Sequence, residues 1–492
     1  MVSTAVDPTV QARVLGIKIE YQDLRKASIF NLPQRIALLG LGSAGVSYTT
    51  DKKIVFSAAE VAQTYGSGSP LHVAALQVFP LNGDGAGAVP VTVYPLAEAS
   101  GSPVAATGTI TPSGAVTTAG TFRLRIGGIE SESFGVAVGD DVATIIDSMV
   151  TAATATPALP MTATDGTTTL NLEAKAKGEY GNDIVVEVVG PTGTGVTFTV
   201  VQPSSGTVDP DLNDALVNIG EVWETAVINC HGATAANLTA LSTWSEGRWG
   251  ALTQKPALVF SGNADTDVAT AIAKVTAYKN TRSLILENVN GSPSMPGAIA
   301  ARAATRVAVQ ANNNPPVDYA EQLLTGIVGG TDAEQWSLSQ RDTAVKGGVA
   351  TTLVDSSGTA RMQDTVTTYA PDDDPLPAYR YAVDIVKLQN LVYNIRIVFS
   401  SDRWAGKPIV RDEDVITNPE ARKPKNAVTA MYGILDGASQ QAIIADLEFA
   451  KANTVAEIDS QNPKRLNVAT TVKLSGNTNV ISVDLNFGFL FG

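Results

Sequence analysis

A single cysteine, Cys230, and two histidines, His72 and His231, stand in a chain of 492 residues. One thiol excludes an intramolecular disulfide, so the fold needs no oxidising compartment. Two imidazoles cannot build a histidine-rich metal site, and neither a metal nor another cofactor is expected. Cys230 and His231 adjoin, but neighbours in a strand point to opposite faces, which makes a poor nucleophile–base pair. Long apolar runs are missing too: none approaches the roughly 20 residues that cross a bilayer, so no membrane insertion is expected. The start, Met-Val-Ser-Thr-Ala-Val-Asp, has no basic segment followed by an apolar stretch. A signal peptide is therefore not expected, and the reading is of a soluble, cytosolic product. Positive charge is scarce. A formal net charge of -14 argues against a direct nucleic-acid binder, which needs a basic footprint to displace counterions. Charged residues make up only 17%, and with abundant Gly, Ala, Thr and Val this suits a surface largely covered by other protein.

What is present begins with length, which suggests about two to four domains. The most regular pattern lies in residues 480–492. Ile481, Val483, Leu485, Phe487, Phe489 and Phe491 fall on one parity. Ser482, Asp484, Asn486 and Gly488 fall on the other, interrupted only by Leu490. Such alternation marks a strand with one dry face, and so much apolar surface must be paired and covered. Two readings are open: a last strand in its own sheet, or a strand donated to a neighbouring copy. Near the other end, Leu15, Ile17, Ile19 and Tyr21 alternate with Gly16, Lys18 and Glu20, giving a second peripheral strand.

Residues 35–40 read as a buried strand. The following Gly40-Leu41-Gly42-Ser43-Ala44-Gly45 matches the dinucleotide fingerprint, with Glu60 near the place of a ribose-binding acid. That motif requires a helix opening at the glycines. Val46-Ser47-Tyr48-Thr49-Thr50 is poor for helix, and Ser57 with Glu60 forms a capping box for a later one. A dinucleotide-binding oxidoreductase is the alternative this loop leaves open. From Val104 to about Gly206 the composition turns rich in Thr, Gly and Val, with short alternating runs and one helix over 142–153 capped by Asp140 or Asp141. This reads as an inserted β-rich domain of about a hundred residues. Beyond it, strands and helices alternate: helices over 212–224, 235–246, 266–279 and 296–311, with strands at 226–230, 257–260 and 283–287. That pattern predicts a mixed α/β core with parallel character, α+β overall. No nucleophile elbow and no phosphate-binding loop appears, so no enzyme is expected. A hairpin around Ser356-Ser357-Gly358 leads into a run at 365–369, and helices are expected over 381–399 and 439–456. Between those helices, Arg403, Lys407, Arg411, Arg422, Lys423 and Lys425 form a basic stretch. It reads either as a solvated loop or as a patch facing an acidic partner.

Several stretches, taken in order, resemble the tail sheath proteins of contractile-tailed bacteriophages, most closely the Mu-like type and more distantly pyocin sheaths. They are residues 33–40, Gly66-Ser67-Gly68-Ser69-Pro70-Leu71, residues 119–128 and 177–184, Arg248-Trp249-Gly250 with Gln254, residues 342–351, residues 365–369 and the alternating end. The resemblance spans essentially the whole chain. It implies a non-enzymatic virion tail component, made and assembled in the bacterial host cytoplasm, that stacks as six-fold rings around a tube and contracts. A pyocin or secretion-type sheath would share those mechanics. The implied partners are neighbouring sheath subunits, the tail tube protein, and baseplate and tail terminator proteins. The implied organisation is an N-terminal arm (1–30), a core in two parts (31–96 and 207–475), an outward insertion (97–206) and a C-terminal arm (476–492). On this reading Leu15, Ile17, Ile19 and Tyr21, with Ile481 to Phe491, are exchanged between subunits. Residues 23–31 and 473–479 are the linkers, and the basic stretch faces the tube.

Overall fold

The computed structural model describes residues 29–489 apart from 373, 375 and 376. The strand run Leu15, Ile17, Ile19 and Tyr21, and Phe491 at the other end, lie outside the described residues. The chain divides into two compact units. One comprises Phe30–Ser401 with the segment from Leu474 onward, and the other is centred on Asp402–Lys473.

In the larger unit the chain forms β1 (Ile36–Leu41), β2 (Lys53–Val55), α1 (Ala58–Tyr65), α2 (Pro70–Val78) and β3 (Val91–Leu96). Ser57 caps α1 by accepting from the Glu60 amide at 3.2 Å, and the Glu60 carboxylate accepts from the Phe56 amide at 3.0 Å. Glu60 is thus a helix-start residue, although its carboxylate meets the Phe56 amide in place of the Ser57 amide that a strict capping box would engage. An insertion follows: β4 (Thr107–Ser113), β5 (Gly120–Ile126), β6 (Ile129–Glu130), β7 (Phe134–Val136), α3 (Val142–Thr154), β8 (Met161–Asp165), β9 (Leu170–Ala174), β10 (Val186–Val189) and β11 (Thr197–Ser204). The core resumes with α4 (Leu212–Ile219), β12 (Ala226–Asn229), α5 (Ala235–Gly247), β13 (Leu258–Asn263), α6 (Val268–Val275), β14 (Leu284–Asn288) and α7 (Pro296–Asn313). It ends with β15 (Leu323–Val328), α8 (Leu338–Lys346), β16 (Ala350–Val354), β17 (Thr359–Asp364) and α9 (Ala382–Phe399).

The core is one nine-stranded sheet in the order β15-β17-β16-β14-β13-β12-β1-β3-β2. Pairs from β3 through β1, β12, β13 and β14 to β16 are parallel, while β2, β17 and β15 run antiparallel at the edges. Every residue of β1, β12, β13 and β14 is buried. Strands dry on both faces are what parallel sheets covered by helices require, and they explain continuous apolar runs instead of alternation. The fold is α+β with a mixed core, as the alternating pattern predicts.

The insertion makes two four-stranded sheets, β11-β4-β9-β8 and β10-β5-β6 with β7 on β5. Phe122 and Phe134 from one meet Phe198 from the other, with ring centroids 5.2 to 6.1 Å apart. Such clusters contribute beyond area burial alone. The insertion closes at its neck, where Val104 and Thr207 exchange backbone hydrogen bonds at 3.2 Å.

The smaller unit contains α10 (Pro424–Gln440), α11 (Leu447–Ala452) and an antiparallel hairpin of β18 (Thr454–Ile458) and β19 (Leu466–Thr470). It falls inside the expected core span 207–475. The single helix expected over 439–456 is not there. Ala442 (φ 54°) and Asp446 (φ 55°) take left-handed conformations that no continuous helix tolerates. Other expectations are shortened. Gly220, at φ 56°, stops α4 at Ile219, five residues short of its expected end at 224. The run at 365–369 is not a strand but contributes an isolated bridge between Val366 and Tyr381.

Candidate assembly interface

The alternating segment near the C-terminus has no regular secondary structure from Ser475 to Phe489. Val480, Ile481, Val483, Leu485, Phe487 and Phe489 are all between 77% and 85% exposed. The side chains of Ser482, Asp484 and Asn486 are exposed as well. A strand exists only by pairing, and this segment finds no ladder among the described residues. The first of the two readings, a strand tucked into its own sheet, finds no partner strand among the described residues.

The root of that segment is fixed. Lys387 of α9 has a side chain 0% exposed. Its ammonium donates to the Ser475 carbonyl at 2.5 Å, the Asn477 side-chain oxygen at 2.7 Å and the Asp384 carboxylate at 3.0 Å. These three bonds use the full donor set of an ammonium. Asn477 also donates to the Pro316 carbonyl at 2.8 Å. Nearby, burial pushes the Asp318 carboxyl up, against the Tyr319 amide that it accepts from at 2.6 Å.

The other end enters over the same helix. The Asn394 side chain accepts from the Phe30 amide and donates to the Phe30 carbonyl, both at 2.9 Å. Asn390 accepts from the Leu32 amide at 2.7 Å. Asn390 is 0% and Asn394 3% exposed. The core-side ends of both expected linkers, 23–31 and 473–479, are thus pinned. The expectation of a helix over 381–399 singles out none of these three residues. The signal available was Lys387, Asn390 and Asn394 recurring at helical spacing among apolar residues.

In the smaller unit, β18 and β19 pair with each other and with no further strand among the described residues. A groove of about 650 Å³ runs beside β18, lined by Ala456, Glu457 and Ile458 and by residues 409–414. The basic stretch is close to neutral, because Asp402, Asp412, Glu413, Asp414 and Glu420 are interleaved with its six cations. Lys407 pairs with Glu420. Lys423 reaches the carbonyls of Asp412 and Asp414, and Arg422 those of Arg403, Pro419 and Ala421. Arg403, Arg411 and Lys425 are exposed.

The competing loop, 40–45, opens no helix. Its amides are already engaged: Gly42 on the Tyr48 hydroxyl at 2.9 Å, Ser43 on the Tyr65 carbonyl and Ala44 on the Lys175 carbonyl, both at 2.7 Å. Donors committed in this way cannot meet a pyrophosphate. At the carboxyl ends of β1 and β12, where doubly wound sheets open a ligand crevice, the insertion lays Tyr180 edge-on against His231, centroids 5.7 Å apart. Burial drives the Cys230 thiol up and holds His231 down at about 4, so neither a thiolate nor an imidazolium forms there at neutral pH. Among the described residues no cluster of His, Cys, Asp and Glu is placed to hold a metal ion, and no helix is long and apolar enough to cross a membrane.

A Mu-like prophage tail sheath protein from Haemophilus influenzae is 27% identical over 396 residues, covering 78% of this chain and 78% of its own. The chain is a relative of a tail sheath protein. No family model matches it. A chain in the six-fold symmetrised baseplate of the anti-feeding prophage shares the fold, with a TM-score of 0.51 at 10% identity over 97% of this chain and 100% of its own. A sheath tail protein from Listeria innocua overlaps with a TM-score of 0.49 at 12% identity, covering 90% and 92%.

Proposed function

We propose that this chain is the structural subunit of a contractile tail sheath, polymerising as stacked six-fold rings around a tail tube and shortening to drive the tube through a host envelope. The relationship to a tail sheath protein supports the class. The observation that carries the mechanism is the comb of apolar side chains from Val480 to Phe489, left exposed beyond a firmly held root. Lending that comb to an adjacent copy lets backbone hydrogen bonds hold the contact while subunits rotate. The β18–β19 hairpin is the acceptor: two strands alone are marginally stable, and among the described residues each has an outer edge with no partner strand. Leu15, Ile17, Ile19 and Tyr21 make the reciprocal arm.

No nucleotide drives the change in this account. The extended sheath is a metastable lattice that gains subunit contacts on contraction, and about a few kcal/mol per subunit suffices over a cooperative array. The insertion 97–206 projects outward, and Arg403, Arg411 and Lys425 are the cations of the basic stretch left to face the tube. Baseplate and terminator proteins bound the polymer at its ends, in a virion tail. Removing residues 480–492 tests the reading. The truncated chain keeps its circular dichroism and melting behaviour but forms no long polymers in negative stain. Polymers of ordinary length would contradict it.

A further inference from the structure

We infer that α9 is a tension strut joining the two arms, with Lys387, Asn390 and Asn394 as positioning residues that pass force from one arm root to the other. This rests on the arm-lending reading above. Lys387, Asn390 and Asn394 lie three and four residues apart, so they share one helix face and span about 10 Å along its axis. At one end of this row Lys387 holds Ser475 and Asn477, and at the other Asn394 holds Phe30 through a paired donor and acceptor. A subunit pulled by one neighbour through residues 475–489 and by another through its first thirty residues is therefore loaded across a short stretch of helix. The nine-stranded sheet stays out of the path.

The chemistry of the two clamps differs. Two of the three acceptors around the Lys387 ammonium belong to the arm root, so withdrawing the arm strands a buried cation beside Asp384 alone. That makes the C-terminal clamp resistant to detachment. The Asn394 clamp copies one rung of a β-ladder, with its amide nitrogen also bonded to the Asn390 carbonyl at 2.8 Å, which locks the rotamer. Neither clamp touches the exposed comb, so both are free to persist while the comb is bound elsewhere.

The test is Lys387→Met, which keeps the stem and deletes the charge. Hydrogen exchange in residues 475–479 should accelerate by about tenfold or more, the scale of hydrogen bonds to a charged group, while β12 to β14 keep their protection. Polymers of the variant should form but fragment under shear that leaves the parent intact. Asn477→Ala removes one of the two arm-root acceptors from the arm side, leaving the Ser475 carbonyl, and gives the same two results to a smaller degree should the buried substitution prevent folding. Unchanged exchange at 475–479 together with unchanged shear resistance overturns the strut. Truncation at residue 480 is run alongside. If truncated chains polymerise normally, arm lending itself fails; if only the truncation blocks assembly and the clamp variants behave as the parent, the strut alone fails.

Discussion

Glu287 sits near the end of β14, fully buried, with neither carboxylate oxygen hydrogen-bonded. Burial, and then the nearby Asp364, push its carboxyl up to about 8 from an ordinary 4.5. The folded chain therefore holds a proton that the unfolded chain releases. The stability from this group is fully present below the ordinary glutamate value and is lost as pH rises through about 8. Glu287→Gln keeps the shape and removes the titration. Its melting temperature should exceed the parent's at pH 8.5 by an amount equivalent to about 1–3 kcal/mol, with the gap closing toward pH 5. A gap independent of pH would assign the effect to packing. His231 works in the opposite sense: held at about 4 by burial, it costs stability as pH falls below its ordinary 6.5. Of these groups, only the poor pairing of Cys230 with His231 was legible in the sequence. Burial of a lone glutamate in a central strand comes from topology, which residue spacing does not carry.

Helix starts were legible where a side chain does the capping. Ser57 with Glu60 opens α1, and Asp141 accepts from the Thr144 amide at 2.8 Å to open α3. Ends set by backbone conformation were harder to read. Gly220 stops α4 at φ 56°, with nothing within 4 Å of an added Cβ, so Gly220→Ala carries only conformational cost. It should destabilise by about 1–3 kcal/mol in a chemical melt. Gly433, inside α10, also has open space around an added Cβ but a helical backbone, so Gly433→Ala should stabilise by about 0.5–1 kcal/mol. Equal signs for the two would mean that neighbours, not backbone freedom, decide both. The failure over 439–456 has the same origin, because nothing in Ala442 announces a left-handed turn. Lys387, Asn390 and Asn394 were readable as a polar row on an apolar face, but their purpose appears only once both arm roots lie across it.

At the scale of the whole molecule, the α+β class and the sheath resemblance could be read before any coordinates. Runs such as Ile36 to Leu41 and Leu284 to Leu286 have the composition of strands covered on both sides, and motif order carried the rest. The compact unit at Asp402–Lys473 was not separable, since its charged loop reads as solvent-facing whatever it joins. The alternation from Ile481 to Phe489 announced a strand, yet pairing is a property of two segments, and the described residues supply only one. The central claim is that a neighbouring copy supplies the other. Hydrogen exchange of residues 481–489, followed in the free subunit and then in assembled polymer, tests this directly. The account predicts near-unprotected amides before assembly and protection by about a hundredfold or more afterwards, the behaviour of strand amides drawn into a ladder. Amides that stay equally exposed in intact polymer would contradict it.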